Sequence, residues 1–303
     1  MNSKQNGKKL SHIITNVNKN IQNDSILSFC TNIKSKTSQI RFTYLSYDNH
    51  FPDEAKNVLC NLINTSSENK DSMFIITDSE QVIDYTVQEG IACAALNTAY
   101  NTDSDLTAVL YCIEDIEYMS FERINRMWQR HHGIPWTITE TDRLVIREHT
   151  PEDIDALYEI YSDSEAARYM EDLYENREDE AEYLRQYIDN QYRFYEYGIW
   201  AVTLKDNGRL IGRAGISTRE GFDLPEIGYI IGAPFRRCGY AKEAVRAVID
   251  YGREELGLTD FMAFSKAKNI ASANLLKNLG FRATGTATIK GGDHTMYILT
   301  KQQ

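Results

Sequence analysis

The residues best placed to do chemistry lie in one short turn, Arg236-Arg237-Cys238-Gly239-Tyr240-Ala241. Two guanidinium groups and a glycine stand just before a stretch in which Ala241, Ala244, Val245, Val248 and Ile249 recur at helical spacing. The first amides of a helix have no intrahelical acceptor, and the helix dipole is positive there. A cationic turn feeding a helix start is therefore an anion site, with phosphate as its natural guest. The turn has neither the G-x-x-x-x-G-K-[ST] run of a P-loop nor the G-x-G-x-x-G of a dinucleotide fingerprint, so another phosphate-bearing ligand is implied. Cys238 would have its thiol acidified by the helix N-terminus and the arginines. Just upstream, Glu226 is a carboxylate on an otherwise apolar strand. It must be either buried with a shifted ionisation or placed in a cleft.

The elements that position these groups can be read outward from the turn. Glu226 to Gly232 is an apolar run bounded by Pro225 and by Ala233-Pro234, which predicts a buried strand. Phe261 to Lys266 is a second strand, followed by a helix from Asn269 to Phe281. Ile199 to Lys205 and Arg209 to Arg219 flank Asp206-Asn207-Gly208, and Asn-Gly is a strong hairpin signal. Arg143 to Arg147 is a strand, Thr150-Pro151-Glu152-Asp153 starts a helix, and Glu178 to Tyr195 is another helix. Arg282 to Lys290 and His294 to Thr300 close the chain as a hairpin around Gly291-Gly292.

Three motifs in this order carry a resemblance to a known family. The turn resembles the R/Q-x-x-G-x-G/A loop by which GNAT N-acetyltransferases hold the pyrophosphate of acetyl-CoA. Asn269 to Phe281 is similar to the N-x-x-S-x-x-x-x-x-x-x-G-F segment of the same family, and Thr141 to Arg147 resembles the T-x-R-L-x-I-R strand of its RimJ/RimL-like branch. The likeness covers about residues 137 to 300. It implies an α/β fold with a mixed β-sheet flanked by helices, acetyl-CoA as cosubstrate, no metal, and direct acetyl transfer to a primary amine. The alternative is a CoA-binding regulatory or scaffolding protein without turnover.

Carried onto this chain, the resemblance assigns acetyl-CoA to Ile230, Ile231, Arg236, Arg237, Cys238, Gly239, Tyr240, Ala241, Asn269 and Asn274. A backbone N–H near Ile230 to Gly232 would hold the oxyanion. Glu226 is the candidate base, or else it salt-bridges a neighbour such as Arg213. Many family members carry a tyrosine seven residues after the asparagine as the acid, but that place is Leu276 here. Ser272 is the substitute, with Tyr229 and Tyr240 as further candidates; otherwise Ser272 caps its helix. Cys238 would face phosphate rather than the acetyl group. Tyr169, Glu171, Trp200 and Arg213 are the candidate acceptor contacts. Glu171, Asp172 and Glu175 belong to an acidic, tyrosine-rich run that is either a solvated helix face or a cradle for an ammonium group.

The chain has 303 residues, enough for two domains, and a net charge of −11. That balance disfavours nucleic acid and suits a cationic acceptor, a small molecule or a protein N-terminus. The five scattered cysteines suggest neither a disulfide framework nor a zinc site. No signal peptide or membrane span is evident, so a cytoplasmic protein is expected. Residues 1–24, rich in Asn, Lys, Ser and Gln, are expected to be mobile. Residues 25–135 alternate strand and helix as a small parallel α/β module, with a last strand over Leu106 to Asp115. Phe74 to Ser79 faintly resembles the metal-binding end of haloacid-dehalogenase-like phosphatases. No D-x-D-x-T segment precedes it, and Val82 stands where a second aspartate is expected, so Asp78 is read as a helix N-cap in a non-catalytic module. His131-His132-Gly133-Ile134-Pro135 marks the boundary to a domain over 136–303.

Overall fold

The computed structural model describes residues 8–21, 23–37, 39–48, 53–162 and 173–301. The chain forms two compact units that meet in sequence between Ile134 and Pro135. No helix among the described residues is long and apolar enough to cross a membrane.

The first unit contains β1 (His12–Asn18), α1 (Asn23–Lys36), β2 (Arg41–Tyr47), α2 (Glu54–Thr65), β3 (Met73–Thr77), α3 (Glu80–Glu89), β4 (Ala92–Leu96), β5 (Cys112–Ile113) and α4 (Phe121–His131). Its sheet is parallel throughout, in the order β2-β1-β3-β4-β5. Parallel strands need crossover helices, which cover both faces. Ile13, Val17, Phe74 and Ile76 pack with Phe29 and Trp128 on one face. Ile14, Met73 and Ile75 pack with Leu59 and Val82 on the other.

Three expectations fail in this unit. β1 lies inside the span 1–24 read as mobile, and every residue of it is buried. Its polar residues misled because they find partners indoors. His12 lies 2.8 Å from Thr43 Oγ1 and 2.7 Å from Glu68 Oε2, and Asn16 Nδ2 donates to the Ala55 carbonyl at 2.8 Å. The strand read over Leu106 to Asp115 shortens to Cys112–Ile113.

Asp78 is not the cap of α3; Ser79 holds that position. The Asp78 carboxylate instead ties strand ends together. Oδ1 accepts from Asn18 N at 3.0 Å and from the Tyr47 hydroxyl at 2.9 Å, while Oδ2 accepts from Thr98 Oγ1 at 3.2 Å. Burial pushes this carboxyl above the usual carboxylate range despite those hydrogen bonds. The ionised form is thus penalised in the fold, and the penalty is present at neutral pH and absent once the group is protonated. Asp78→Asn keeps the acceptor and should fold with equal or greater stability, its advantage shrinking as pH falls. Asp78→Ala strands buried donors at about 1–3 kcal/mol each, and should lose roughly 3 kcal/mol or more in urea unfolding.

The second unit contains β6 (Thr137–Glu140), β7 (Leu144–Arg147), α5 (Ile154–Tyr161), α6 (Arg177–Gln186), β8 (Ile199–Leu204), β9 (Leu210–Ser217), β10 (Glu226–Ile231), α7 (Tyr240–Glu254), β11 (Phe261–Lys266), α8 (Ile270–Asn278), β12 (Arg282–Ile289) and β13 (Gly292–Leu299). Its eight strands run β12-β13-β11-β10-β9-β8-β7-β6. All neighbours are antiparallel except β10 and β11. Ile227 and Ile231 pack toward Val245 and Val248 of α7 on one face. Ile230 packs with Leu157, Ile160 and Leu184 from α5 and α6 on the other.

The helix expected over Glu178 to Tyr195 changes character part-way. Residues Tyr187–Tyr192 form a π-helical turn after α6. Its i→i+5 bonding brings Tyr187 and Tyr192 to one side. Their hydroxyls grip one residue of β8: Ile199 N donates to Tyr187 at 2.8 Å, and Tyr192 donates to the Ile199 carbonyl at 2.6 Å. Gly198 is required beside this grip, since a Cβ there would lie 2.7 Å from the Tyr187 hydroxyl.

Candidate active site

β10 and β11 pair at one position only, Glu226 with Met262, and then diverge. On its other side β10 is fully paired with β9 from Glu226 to Ile231. Gly232 N donates to Ile211 O at 2.8 Å, which fixes the alternation of this antiparallel ladder. Ile230 and Gly232 therefore direct their N–H groups to β9, and Tyr229 and Ile231 direct theirs into the gap. The oxyanion donor expected near Ile230 to Gly232 thus narrows to Ile231, because the Gly232 amide is spent. The Ile231 carbonyl accepts from Arg236 Nε at 3.0 Å.

The turn after β10 is shaped as an anion cradle. Arg237 has φ 60° and Gly239 has φ 84°, both left-handed. Such residues curl successive N–H groups toward one point. Gly239 is the N-cap of α7, whose first carbonyl-bound amide is that of Glu243. The amides of Tyr240, Ala241 and Lys242 precede it and lack an intrahelical acceptor.

Arg143 holds this turn in shape. Its Nη1 donates to the Cys238 carbonyl at 3.0 Å, its Nε donates to Glu243 Oε2 at 2.8 Å, and its guanidinium lies 4.4 Å from the centre of the Tyr240 ring. Thr141 Oγ1 donates to Glu243 Oε1 at 2.6 Å. Burial alone would raise the Glu243 carboxyl, but Thr141 and Arg143 outweigh it and hold the group below the usual carboxylate range. The threonine and arginine read as part of a strand motif are thus a clamp on α7. Tyr240 lies in that clamp, and Cys238 is exposed.

Across the gap, Tyr229 Oη lies 2.8 Å from Ser272 Oγ. Burial pushes the Tyr229 phenol up to about 12, so it is protonated at neutral pH. Ser272 does not cap α8. Asn269 does, its side chain accepting from Ser272 N at 3.1 Å, which leaves Asn269 its amide donors. Leu276 is fully buried in the core, and Asn274 is exposed.

Glu226 is buried and paired with Arg219, at 2.5 Å from Nε and 3.2 Å from Nη2, rather than with Arg213. A carboxylate has further lone pairs beyond those two. Trp200 is not an acceptor contact. It is fully buried on the α7 side, with its ring centre 5.4 Å from that of Tyr251. Tyr169, Glu171 and Asp172 lie outside the described residues, and Glu175 is exposed. Arg213 faces the α5 and α6 side.

On that same side the sequence reading missed a polar group. Arg147 donates twice to Asp153, at 2.8 and 2.7 Å, and His149 Nδ1 lies 3.1 Å from Asp153 Oδ2. Burial pushes the His149 imidazole down to about 4 against the pull of Asp153. The ring is thus neutral, with Nδ1 as the donor and Nε2 a lone pair without a partner. Only the i, i+4 spacing of His149 and Asp153 hinted at this. As pH falls below the ordinary value of 6.5, the unfolded chain takes up the proton first. Stability should be complete above that value and fall by about 3 kcal/mol by pH 4 relative to His149→Gln, measured by urea unfolding at each pH.

Residues 143–282 match the model of the Acetyltransferase (GNAT) domain. The chain is 32% identical over 146 residues to the "Uncharacterized N-acetyltransferase YnaD" of Bacillus subtilis, covering 48% of this chain and 82% of that protein. It is 33% identical over 151 residues to the "Uncharacterized N-acetyltransferase YoaA" of the same organism, covering 49% and 84%. Among solved structures, a GNAT-family acetyltransferase from Bacillus anthracis aligns with a TM-score of 0.46 at 24% identity, over 53% of this chain and 96% of that one. The family match begins at the clamp residue Arg143 and spans the diverging strands, the anion cradle and α8. Through its second unit, the chain belongs to the GNAT acetyltransferase family and is an acyltransferase.

Proposed function

We propose that the second unit transfers the acetyl group of acetyl-CoA directly to a primary amine, of a small molecule or a protein N-terminus, in the manner of the RimJ/RimL-like branch. The observation that carries this reading is the gap between β10 and β11, into which Tyr229 and Ile231 turn their backbone N–H groups, beside the cradle at the start of α7. A pantetheine arm is an amide-bearing chain that such groups can bind as a strand would. The cradle at Arg237 to Ala241 suits its pyrophosphate.

The residues then take these roles. Ile231 N–H holds the oxygen that becomes negative when the amine nitrogen bonds to the thioester carbon. Glu226, directly or through water, takes the proton the amine must lose, and Arg219 steadies it. The Ser272 and Tyr229 hydroxyls supply a proton or hydrogen bond to the sulfur as its bond to carbon breaks. Asp78 already accepts three hydrogen bonds, which supports reading the first unit, with its faint haloacid-dehalogenase likeness, as a non-catalytic module.

The test is thiol release from acetyl-CoA by the full chain across a panel of amines. Turnover is expected with at least one, and Glu226→Gln and Ser272→Ala should each lower kcat at least tenfold, the order of a general acid or base contribution. Unchanged kcat in a variant removes that residue from its role. Acetyl-CoA that raises Tm without turnover would favour the scaffold instead. Arg143→Gln should raise the KM for acetyl-CoA about fivefold to tenfold with little change in kcat, since it loosens the cradle and not the reacting groups.

A further inference from the structure

Arg213 stands in the middle of β9, opposite Ile230 of β10 and Ala201 of β8. Its neighbour Ala214 belongs to the α7-side core, and a Cβ on Gly212 would meet Ile231 of that core, so Arg213 projects to the α5 and α6 side. There it lies among Tyr161, Tyr187 and Tyr192, near His149. The residue is partly exposed, yet its Nε is out of solvent and has no partner. Its guanidinium donates one hydrogen bond to the Tyr161 hydroxyl oxygen.

No carboxylate among the described residues pairs with this guanidinium. Asp153 is committed to Arg147 at 2.7 Å, Glu226 to Arg219 at 2.5 Å and Glu159 to Arg209 at 2.9 Å. Of the groups around it, His149 is neutral, burial raises the phenols of Tyr187 and Tyr192 above their ordinary value, and the buried Glu148, whose charge bears on Tyr192, accepts from Trp136 N at 3.1 Å. A cation that is partly shielded from water and has no counter-ion among the described residues gains from a ligand that supplies one. The guanidinium fork matches a carboxylate in a bidentate pair.

The position also fits the reaction. Arg213 is one strand, about 5 Å, from Ile230, whose neighbour Ile231 turns its N–H into the gap. We propose that Arg213 binds a carboxylate of the acceptor, so that the acceptor is a small amino-carboxylate with its amine directed toward β10. This rests on the acetyl-transfer reading above. The single positive charge suits a monoanion better than a phosphate dianion. A zwitterion also reconciles the site with the chain's net charge of −11, which favours the approach of an ammonium group, while Arg213 takes the other end.

The experiment uses the full chain with acetyl-CoA and α-amino acids, each matched with its carboxamide and its decarboxylated amine. Expected is a kcat/KM for the carboxylate at least about tenfold above that for its matched carboxamide, expressed mainly in KM. That ratio should fall close to one in Arg213→Gln and stay intermediate in Arg213→Lys, which keeps the charge and loses the fork. Equal or better turnover of carboxamides by the wild type, or a ratio unchanged in Arg213→Gln, overturns the proposal. Melting temperatures with the same panel at saturating CoA separate the two readings. Amino acids that raise Tm in the wild type and not in Arg213→Gln, with no turnover, uphold the carboxylate receptor and overturn the transfer reading. No effect of the carboxylate on either turnover or Tm overturns the receptor.

Discussion

The second unit depends on one interrupted pairing. Parallel neighbours ordinarily bond along their shared length, but β10 and β11 meet only at Glu226 and Met262. Each is anchored on its outer side instead, β10 by six pairs to β9 and β11 by six pairs to β13. The sheet is thus two antiparallel halves hinged at one residue pair. Gly212 keeps the β9 and β10 half close, since a Cβ there would lie 2.3 Å from the Ile230 carbonyl. Backbone groups facing the gap must find partners, because an unpaired one shielded from water is costly. Arg236 supplies a donor to the Ile231 carbonyl, and the Tyr229 and Ser272 hydroxyls bridge the gap at one point. The Ile231 N–H faces the same opening without a partner on β9.

Charge placement follows from that opening. A carboxylate in the first turn of α7 would be stabilised by the helix dipole and would compete with a bound anion. Glu243 is there, but Arg143 and Thr141 occupy both of its oxygens. The same Arg143 draws the Cys238 carbonyl to itself, so the turn offers amides rather than carbonyls to its guest. An acidic chain can therefore keep an anion site, provided each nearby carboxylate has its own cation. Arg213 is the exception in reverse, a cation without a carboxylate partner among the described residues.

The strands of the second unit were legible because each had its own punctuation: Asn207-Gly208 between β8 and β9, Pro225 before β10, and Gly291 in the last hairpin. The turn from β10 into α7 was legible because Gly239 stands between an apolar run and a helical pattern. The divergence was not legible, since Glu226 to Ile231 looks the same whether its neighbour pairs once or six times. Nor were the partners of Glu243, because Thr141 and Arg143 lie about a hundred positions from it in the chain, while Arg219, only seven residues from Glu226, sits in a loop whose course the pattern does not fix. The π turn was hidden for a related reason: Tyr187 and Tyr192 fit a helical pattern of tyrosines, and only their grip on Ile199 shows the change of pitch. Trp200 was misassigned because a large aromatic with a polar tip suits a cleft and a core equally well.

The two units show the same physics resolved in opposite ways. In an open parallel sheet, ligands bind beyond the carboxyl ends of the strands, where the strand order reverses. In the first unit that place lies between β1 and β3, and Asp78 closes it with bonds to Asn18, Tyr47 and Thr98. The Asn101 amide adds links to the carbonyls of Asp78 and Leu96. A carboxylate already holding three donors can leave them only by stranding them. The second unit does the reverse at β10, where the protein leaves backbone amides without strand partners. The contrast between the units therefore lies less in their inventory of acids and bases than in where polar groups remain unmatched among the described residues.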